Sequence, residues 1–185
     1  MGEVADGGRE VTPPGAAYWI RKLRLAPHPE GGCFRETYRS AEAIRRSGLP
    51  ARYAGRRAFS TAILFLLKSG DRSCFHRLKS DELWHFHAGD ACTIHVISRD
   101  GRYSRTQLGP AAGKGECFQA VVPAGEWFGA TVAPGGAYAL MGCTTAPGFD
   151  FADFEMAERG ALLKRYPRHR RIIERLTEGE SRYSP

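Results

Sequence analysis

From Ala58 to Thr145, short apolar or β-rich runs recur about every 8–12 residues, and turn residues separate them. This rhythm predicts strands near 59–68, 73–78, 82–87, 91–98, 102–108, 117–122, 127–132 and 137–145. The punctuation is Ser69-Gly70-Asp71, Lys79-Ser80-Asp81, Ala88-Gly89-Asp90, Asp100-Gly101, the Gly109 to Gly115 loop, Pro123-Ala124-Gly125 and Pro134-Gly135-Gly136. Many short strands at even spacing argue an all-β sandwich or barrel rather than a layered α/β fold.

The flanks read differently. Residues 1–15 are rich in Gly, Pro and acid and are expected to be a disordered tail. Ala17 to Leu25 reads as a short helix with Trp19, Ile20 and Leu23 on one face, broken by Pro27-His28-Pro29-Glu30-Gly31-Gly32. Cys33 to Tyr38 reads as a strand, and Ala41 to Arg57 as an Arg-rich excursion, helical at its start. Beyond Pro147-Gly148, Phe154 to Arg165 reads as a helix, and a second begins after Pro167. The expected organisation is a single domain over 16–178 with tails at 1–15 and 179–185. At 185 residues, such a domain can bury a core without disulfides.

The longest apolar run, Ala62 to Leu67, is of strand length, far below the about 18 residues of a membrane helix. The opening residues hold no apolar core of a secretory signal. Five cysteines with no CxxC pair fit reduced thiols used as small core side chains, and a cytoplasmic location is expected. Lys and Arg total 27 against 20 acids, a net charge of +7 that suits an anionic small ligand. Arg168-His169-Arg170-Arg171 reads as a solvated helix face. No nucleic-acid motif accompanies it, so no nucleic-acid partner is expected.

The segment from Gly70 to Gly89 carries the chemistry. Gly70, His76, Glu82 and Gly89 stand at the spacing of the first cupin motif, and Pro123-Ala124-Gly125 matches the centre of the second. The strings HPEGGCFRETYRS (28–40), HRLKSDELWHFHAGD (76–90), QAVVPAGEWFGA (119–130) and APGFDFADFE (146–155) together resemble the cupin-5 branch of the cupin superfamily, a domain-of-unknown-function family. The resemblance runs from about Ala17 to Leu176. It implies a single jelly roll (a double-stranded β-helix, or cupin barrel) with a short N-terminal helix and C-terminal helices. It also implies a homodimer and a polar pocket inside the barrel, related to those of the sugar-epimerase cupins. It brings no substrate. The chain departs from the family at Cys33, where an aromatic is usual, and in the 41–57 insert.

In the motif positions that hold a cupin metal, His76 and Glu82 are present, but residue 78 is Leu and residue 128 is Phe. Two protein ligands hold a transition metal poorly, so no metal and no cofactor is expected. Without metal, His76 reads as a general base and Glu82 as its orienter. Tyr38 is the candidate acid, with Tyr138 as the other Tyr. Arg35 and Arg77 are candidate anion clamps, and Trp84, Trp127 and Gln119 candidate pocket contacts. Strand alternation points His85 and His87 away from Glu82, so they reach a ligand only if the strand bulges near Trp84.

The reading is a metal-independent isomerase or epimerase acting on a sugar or sugar-phosphate-like metabolite. Two alternatives stand beside it: a non-catalytic small-ligand-binding protein, and a metal-dependent oxygenase or isomerase. The plain structural alternative for His76 and Glu82 is that they only satisfy each other in a polar interior. A homodimer is also suggested by the stretch from Ser60 to Leu67, apolar on both strand faces. One face needs the core; the other needs the N-terminal strand, the helices or a partner.

Overall fold

Strand alternation sorts the apolar residues into three layers. The computed structural model describes residues 14–179. The tail expected over 1–15 lies outside the described residues except for Pro14 and Gly15, and that over 179–185 except for Gly179. A first helix, α1 (Ala16–Leu23), leads through β1 (Ala26–Pro27) into β2 (Cys33–Arg39) and the small hairpin of β3 (Ala43–Ile44) and β4 (Arg57–Ala58). Then come β5 (Thr61–Lys68), β6 (Arg72–Leu78), β7 (Glu82–Gly89), β8 (Cys92–Ile97), β9 (Tyr103–Leu108), β10 (Gln119–Val122), β11 (Trp127–Val132) and β12 (Tyr138–Thr145). These eight coincide with the eight runs read from the sequence, within one or two residues at most ends.

The strands form two antiparallel sheets. One has six strands in the order β1-β2-β5-β12-β7-β10. The other has five, with β6-β11-β8-β9 extended at the β6 edge by β13 (Phe154–Met156). The order is that of a jelly roll. Phe65, Leu67, Trp84, Met141 and Cys143 of the first sheet face Leu78, Ile94, Phe128 and Val132 of the second across the core.

Each outer face has its own cover. Leu66, Tyr138 and Leu140 pack under Trp19, Ile20 and Leu23 of α1. The apolar second face of β5 is thus partly covered from within the chain. Phe75, Ile97 and Trp127 pack under α2 (Arg159–Arg165) and α3 (Arg170–Arg175) through Leu162 and Ile173.

Two local readings are corrected. The helix expected over 154–165 begins only at Arg159, because Phe154–Met156 pairs with the open edge of β6 (Phe154 opposite Leu78, Met156 opposite His76). The start of the 41–57 excursion is not α-helical. It holds β3 and a short 3-10 turn at Arg46–Gly48, and its end is bolted down by side chains. Tyr53 is fully buried and bonds Ser80 Oγ (2.9 Å), while Arg57 clasps Asp153 in a buried ion pair (2.5 and 2.7 Å). This pair fixes the 149–154 segment, which walls the cavity described next.

Candidate active site

The two sheets part at one end of the sandwich around a cavity of about 330 Å³. Alternation brings His76 and Leu78 of β6, Glu82 and Trp84 of β7, Thr61, Ile63 and Phe65 of β5, and Cys143 and Thr145 of β12 to its wall. Phe34, Glu36 and Arg39 come from β2. The bulge between Glu36 and Tyr38 shifts the inward parity, so Arg39 rather than Tyr38 reaches the cavity. Phe149, Asp150 and Phe151 close the mouth.

His28 and Glu30 complete the cavity from the loop before β2. This loop lies against the barrel because two glycines permit it. Gly31 has φ +109°, and a Cβ there would stand 2.1 Å from the Arg72 carbonyl; Gly32 has φ +69° and meets the Leu66 carbonyl in the same way. The opposing part of β6 is bulged: β11 pairs Phe128 with His76 but Ala130 with Ser73, and Gly129 leaves room for the extra residue. The Ser73-Cys74 stretch of that bulge then grips Glu30. Cys74 N donates to the Glu30 carbonyl (2.8 Å) and Ser73 Oγ donates to Glu30 Oε1 (2.9 Å).

The hydrogen bonds fix the protons. His76 Nδ1 lies 2.8 Å from the Cys74 carbonyl, which only accepts, so Nδ1 carries the hydrogen and Nε2 of the neutral ring a lone pair. The Glu30 amide donates to His28 Nδ1 (3.3 Å), which makes that nitrogen an acceptor too. Glu30 Oε2 lies 3.2 Å from His76 Nε2 and 3.4 Å from His28 Nδ1. An oxygen facing two lone pairs needs a proton of its own, and a neutral Glu30 supplies it. Burial acts in the same direction. It pushes the Glu30 carboxyl up to about 8 and holds His28 and His76 down at about 4. Glu82 is raised to about 8 by burial and by the nearby Glu30, against the opposing effect of its bond from Trp84 Nε1 (2.8 Å). At neutral pH the inner cavity therefore presents two carboxylic acids and two neutral imidazoles. Cys143 is buried with its thiol pushed well up by desolvation, so it is no nucleophile.

Of the residues singled out from sequence, His76, Glu82 and Trp84 line the cavity. The carboxyl beside His76 is Glu30, however, not Glu82. The others stand elsewhere. Tyr38 is 54% exposed on β2 and Arg35 is exposed beside it. Arg77 points out of the barrel, bonds Glu155 through both carboxylate oxygens (2.7–2.9 Å) and lies over the Trp127 ring, which packs under the C-terminal helices. His85 and Gln119 bond each other on the outer face (2.9 Å), and His87 lies on that face over Gly142. The irregularity in β7 falls between Phe86 and Ala88, too far from Trp84 to turn His85 inward. Tyr138 is buried under α1, where its hydroxyl accepts from Trp19 Nε1 and donates to the Pro14 carbonyl.

His28 and Glu30 were missed as site residues because they precede the strand pattern. The signal was the Gly31-Gly32 pair, which marks close backbone approach as well as a helix stop. The metal-ligand positions of the cupin motif do not fit a metal here: Leu78 and Phe128 occupy two of them, the Phe128 ring 4.1 Å from that of His76. Among the described residues, no group of three His, Cys, Asp or Glu side chains is disposed to hold one.

Comparison with known proteins agrees with the fold. The family model Cupin_5, described as cupin superfamily (DUF985), matches residues 17–157. A hypothetical protein from Leishmania major is 37% identical, with a TM-score of 0.82 over 90% of this chain and 100% of that one. Protein SO0799 from Shewanella oneidensis is 40% identical, with a TM-score of 0.82 over 90% and 99%. Oxalate decarboxylase from Bacillus subtilis is 15% identical, with a TM-score of 0.50 over 85% of this chain and 40% of that one, a likeness of fold alone. No curated protein matches. Among the described residues, no helix is long and apolar enough to cross a membrane.

Proposed function

Because the chain belongs to the Cupin_5 (DUF985) family of the cupin superfamily, we propose that residues 16–178 act as one cupin domain, and that its cavity isomerises or epimerises a small sugar-like metabolite without a metal. The observation that carries this reading is the Glu30 Oε2 to His76 Nε2 contact of 3.2 Å inside a largely desolvated cavity. A cavity of about 330 Å³ is at the small end of ligand sites and suits a single ring.

The pair acts as one base. As Glu30 Oε2 takes a proton from a carbon beside the substrate carbonyl, its own proton crosses to His76 Nε2. The electron pair of the broken C–H bond moves to the carbonyl oxygen, which takes the proton of the neutral Glu82 carboxyl. The site is left with an imidazolium and one carboxylate, and return of the protons to the neighbouring carbon or the opposite face completes the turnover. Arg39 is the cation of the cavity wall, and it is paired with Glu36 at the rim (2.6 Å). The buried part of the substrate is accordingly uncharged, and a phosphate, where present, stays at the mouth.

The test is a thermal-shift screen of neutral sugars, sugar phosphates and organic acids, followed by incubation of each hit in deuterated water. Solvent deuterium entering the substrate, lost in Glu30→Gln and His76→Ala with binding retained, supports the enzyme. Binding without exchange overturns it in favour of a non-catalytic ligand carrier. One observation favours that second reading: among the described residues, every buried side-chain nitrogen and oxygen already has a partner.

A further inference from the structure

Outside the barrel, a second depression of about 560 Å³ runs along the far end of β6 and beside β13. Arg52, Arg77, Lys79, Arg99 and Arg165 line it against two carboxylates, Asp153 and Glu155. Both carboxylates are already engaged. Asp153 is buried against Arg57, with Lys79 Nζ at 3.4 Å, and Glu155 is taken by Arg77. Among the described residues, no carboxylate pairs with Arg52, Arg99 or Arg165.

These three guanidinium groups are nonetheless held in place. Arg52 Nε donates to the Lys79 carbonyl (2.7 Å) and its guanidinium lies over the Tyr53 ring at 4.9 Å. Arg165 Nε donates to Tyr166 Oη (2.9 Å). Arg99 donates to the Ala124 carbonyl (2.6 Å) and lies across Gly125, where a Cβ would stand 2.5 Å from it. Each keeps further N–H donors free of these contacts. Three oriented forks without counter-charge around one groove are a preorganised arrangement for phosphate oxygens. A monoanion would meet one fork, whereas a chain of phosphates offers charge to more than one. Arg99 and Arg165 also line an adjoining depression with Arg168 and His169, where one carboxylate, Asp100, stands among them.

We propose that this groove binds an oligophosphate anion, either free or as the phosphate chain of a nucleotide. The site shares the residue Leu78 with the barrel cavity but rests on none of the cavity's chemistry.

The test is calorimetric titration of the full chain with sodium tripolyphosphate at low salt, repeated at rising salt. Binding is expected, with log K falling linearly with log salt. The double variant Arg99→Ala/Arg165→Ala is expected to lose at least about tenfold in affinity with an unchanged circular-dichroism spectrum, since both side chains are exposed. Arg99→Lys/Arg165→Lys should recover only part of the loss, because an ammonium cannot bond two oxygens as a fork. Equal affinity for tripolyphosphate and adenosine triphosphate identifies the phosphate chain as the whole ligand. Tighter binding of the nucleotide identifies a nucleotide; either supports the site. Absence of binding at millimolar tripolyphosphate overturns the proposal, as does affinity unmoved by the double alanine variant. So does displacement by a DNA oligonucleotide at lower phosphate concentration, which would make the surface a nucleic-acid contact.

Discussion

Glu30 and His76 meet at 3.2 Å through Oε2 and Nε2, the acid from a loop outside the strand pattern and the imidazole from a strand within it. Their contact is of two neutral groups, each kept so by burial, which outweighs the opposing effect of the Ser73 bond to Glu30 and of the Cys74 carbonyl on His76.

This neutrality sets the pH dependence of stability. Glu30 and Glu82 rise from 4.5 to about 8 on folding, so between those values the folded state holds protons that the unfolded chain has released, and stability falls as pH rises. His28, His76 and the buried His95 drop from 6.5 to about 4, so between those values the unfolded chain binds more protons, and stability climbs as pH rises. Urea midpoints should therefore climb from pH 4, climb more gently between 4.5 and 6.5, where three histidines outnumber two carboxyls, and fall from 6.5 to 8. In Glu30→Gln/Glu82→Gln the fall above 6.5 should disappear; its persistence would place the protons elsewhere.

Gly31→Ala should cost about 3 kcal/mol, through left-handed backbone strain and a clash with the Arg72 carbonyl. Gly115→Ala, at φ +82° but facing open space, should cost only about 1 kcal/mol. Equal losses in urea denaturation would show that the loop before β2 does not depend on its close approach to β6.

Breaking the buried Arg57–Asp153 pair by Arg57→Ala should cost about 3–5 kcal/mol, because Asp153 is left buried with only Lys79 nearby. Arg57→Met/Asp153→Leu should regain a good part of this. A loss below about 1 kcal/mol would mean that the 149–154 wall is held by other contacts.

Trp84→Phe removes the donor to Glu82 and should destabilise the fold by about 1–3 kcal/mol. It should also move the upper end of the stability fall to higher pH, since that bond lowers the Glu82 value. An unshifted profile would separate Trp84 from the titration.

We propose that the outer face of the six-stranded sheet beyond α1 takes a second copy of the chain. Leu83 and Val121 are cross-strand partners there, 39% and 59% exposed. Sedimentation at micromolar concentration should give a dimer that Leu83→Asp/Val121→Asp converts to a monomer. A monomeric parent would end the idea.

The barrel was legible because its information is local: alternation and turns mark eight strands, and the same alternation points Glu82 and Trp84 inward and His85 and His87 outward. What stayed hidden depends on local irregularity or distant pairing. A bulge after Glu36 exchanges Tyr38 for Arg39 at the cavity, and no propensity announces it. Arg77, between inward His76 and Leu78, was already outward by parity, and only its charge suggested a clamp. Phe154 to Met156 has the composition of a helix start, and becomes a strand because β6 offers it an open edge. Glu30 reaches His76 only by closing a long loop, a relationship that spacing along the chain does not encode.

The Gly31-Gly32 loop makes the cavity's acid an exchangeable part. Residues 28–32 lie outside the interlocked strands, so a changed side chain there leaves the strand pairing intact and calls for adjustment only in its immediate neighbours, among them Ser73, Phe34 and Phe65, provided that the two glycines remain. One barrel could in this way host a series of proton inventories, diversified through a five-residue cassette while the imidazole strand stays constant.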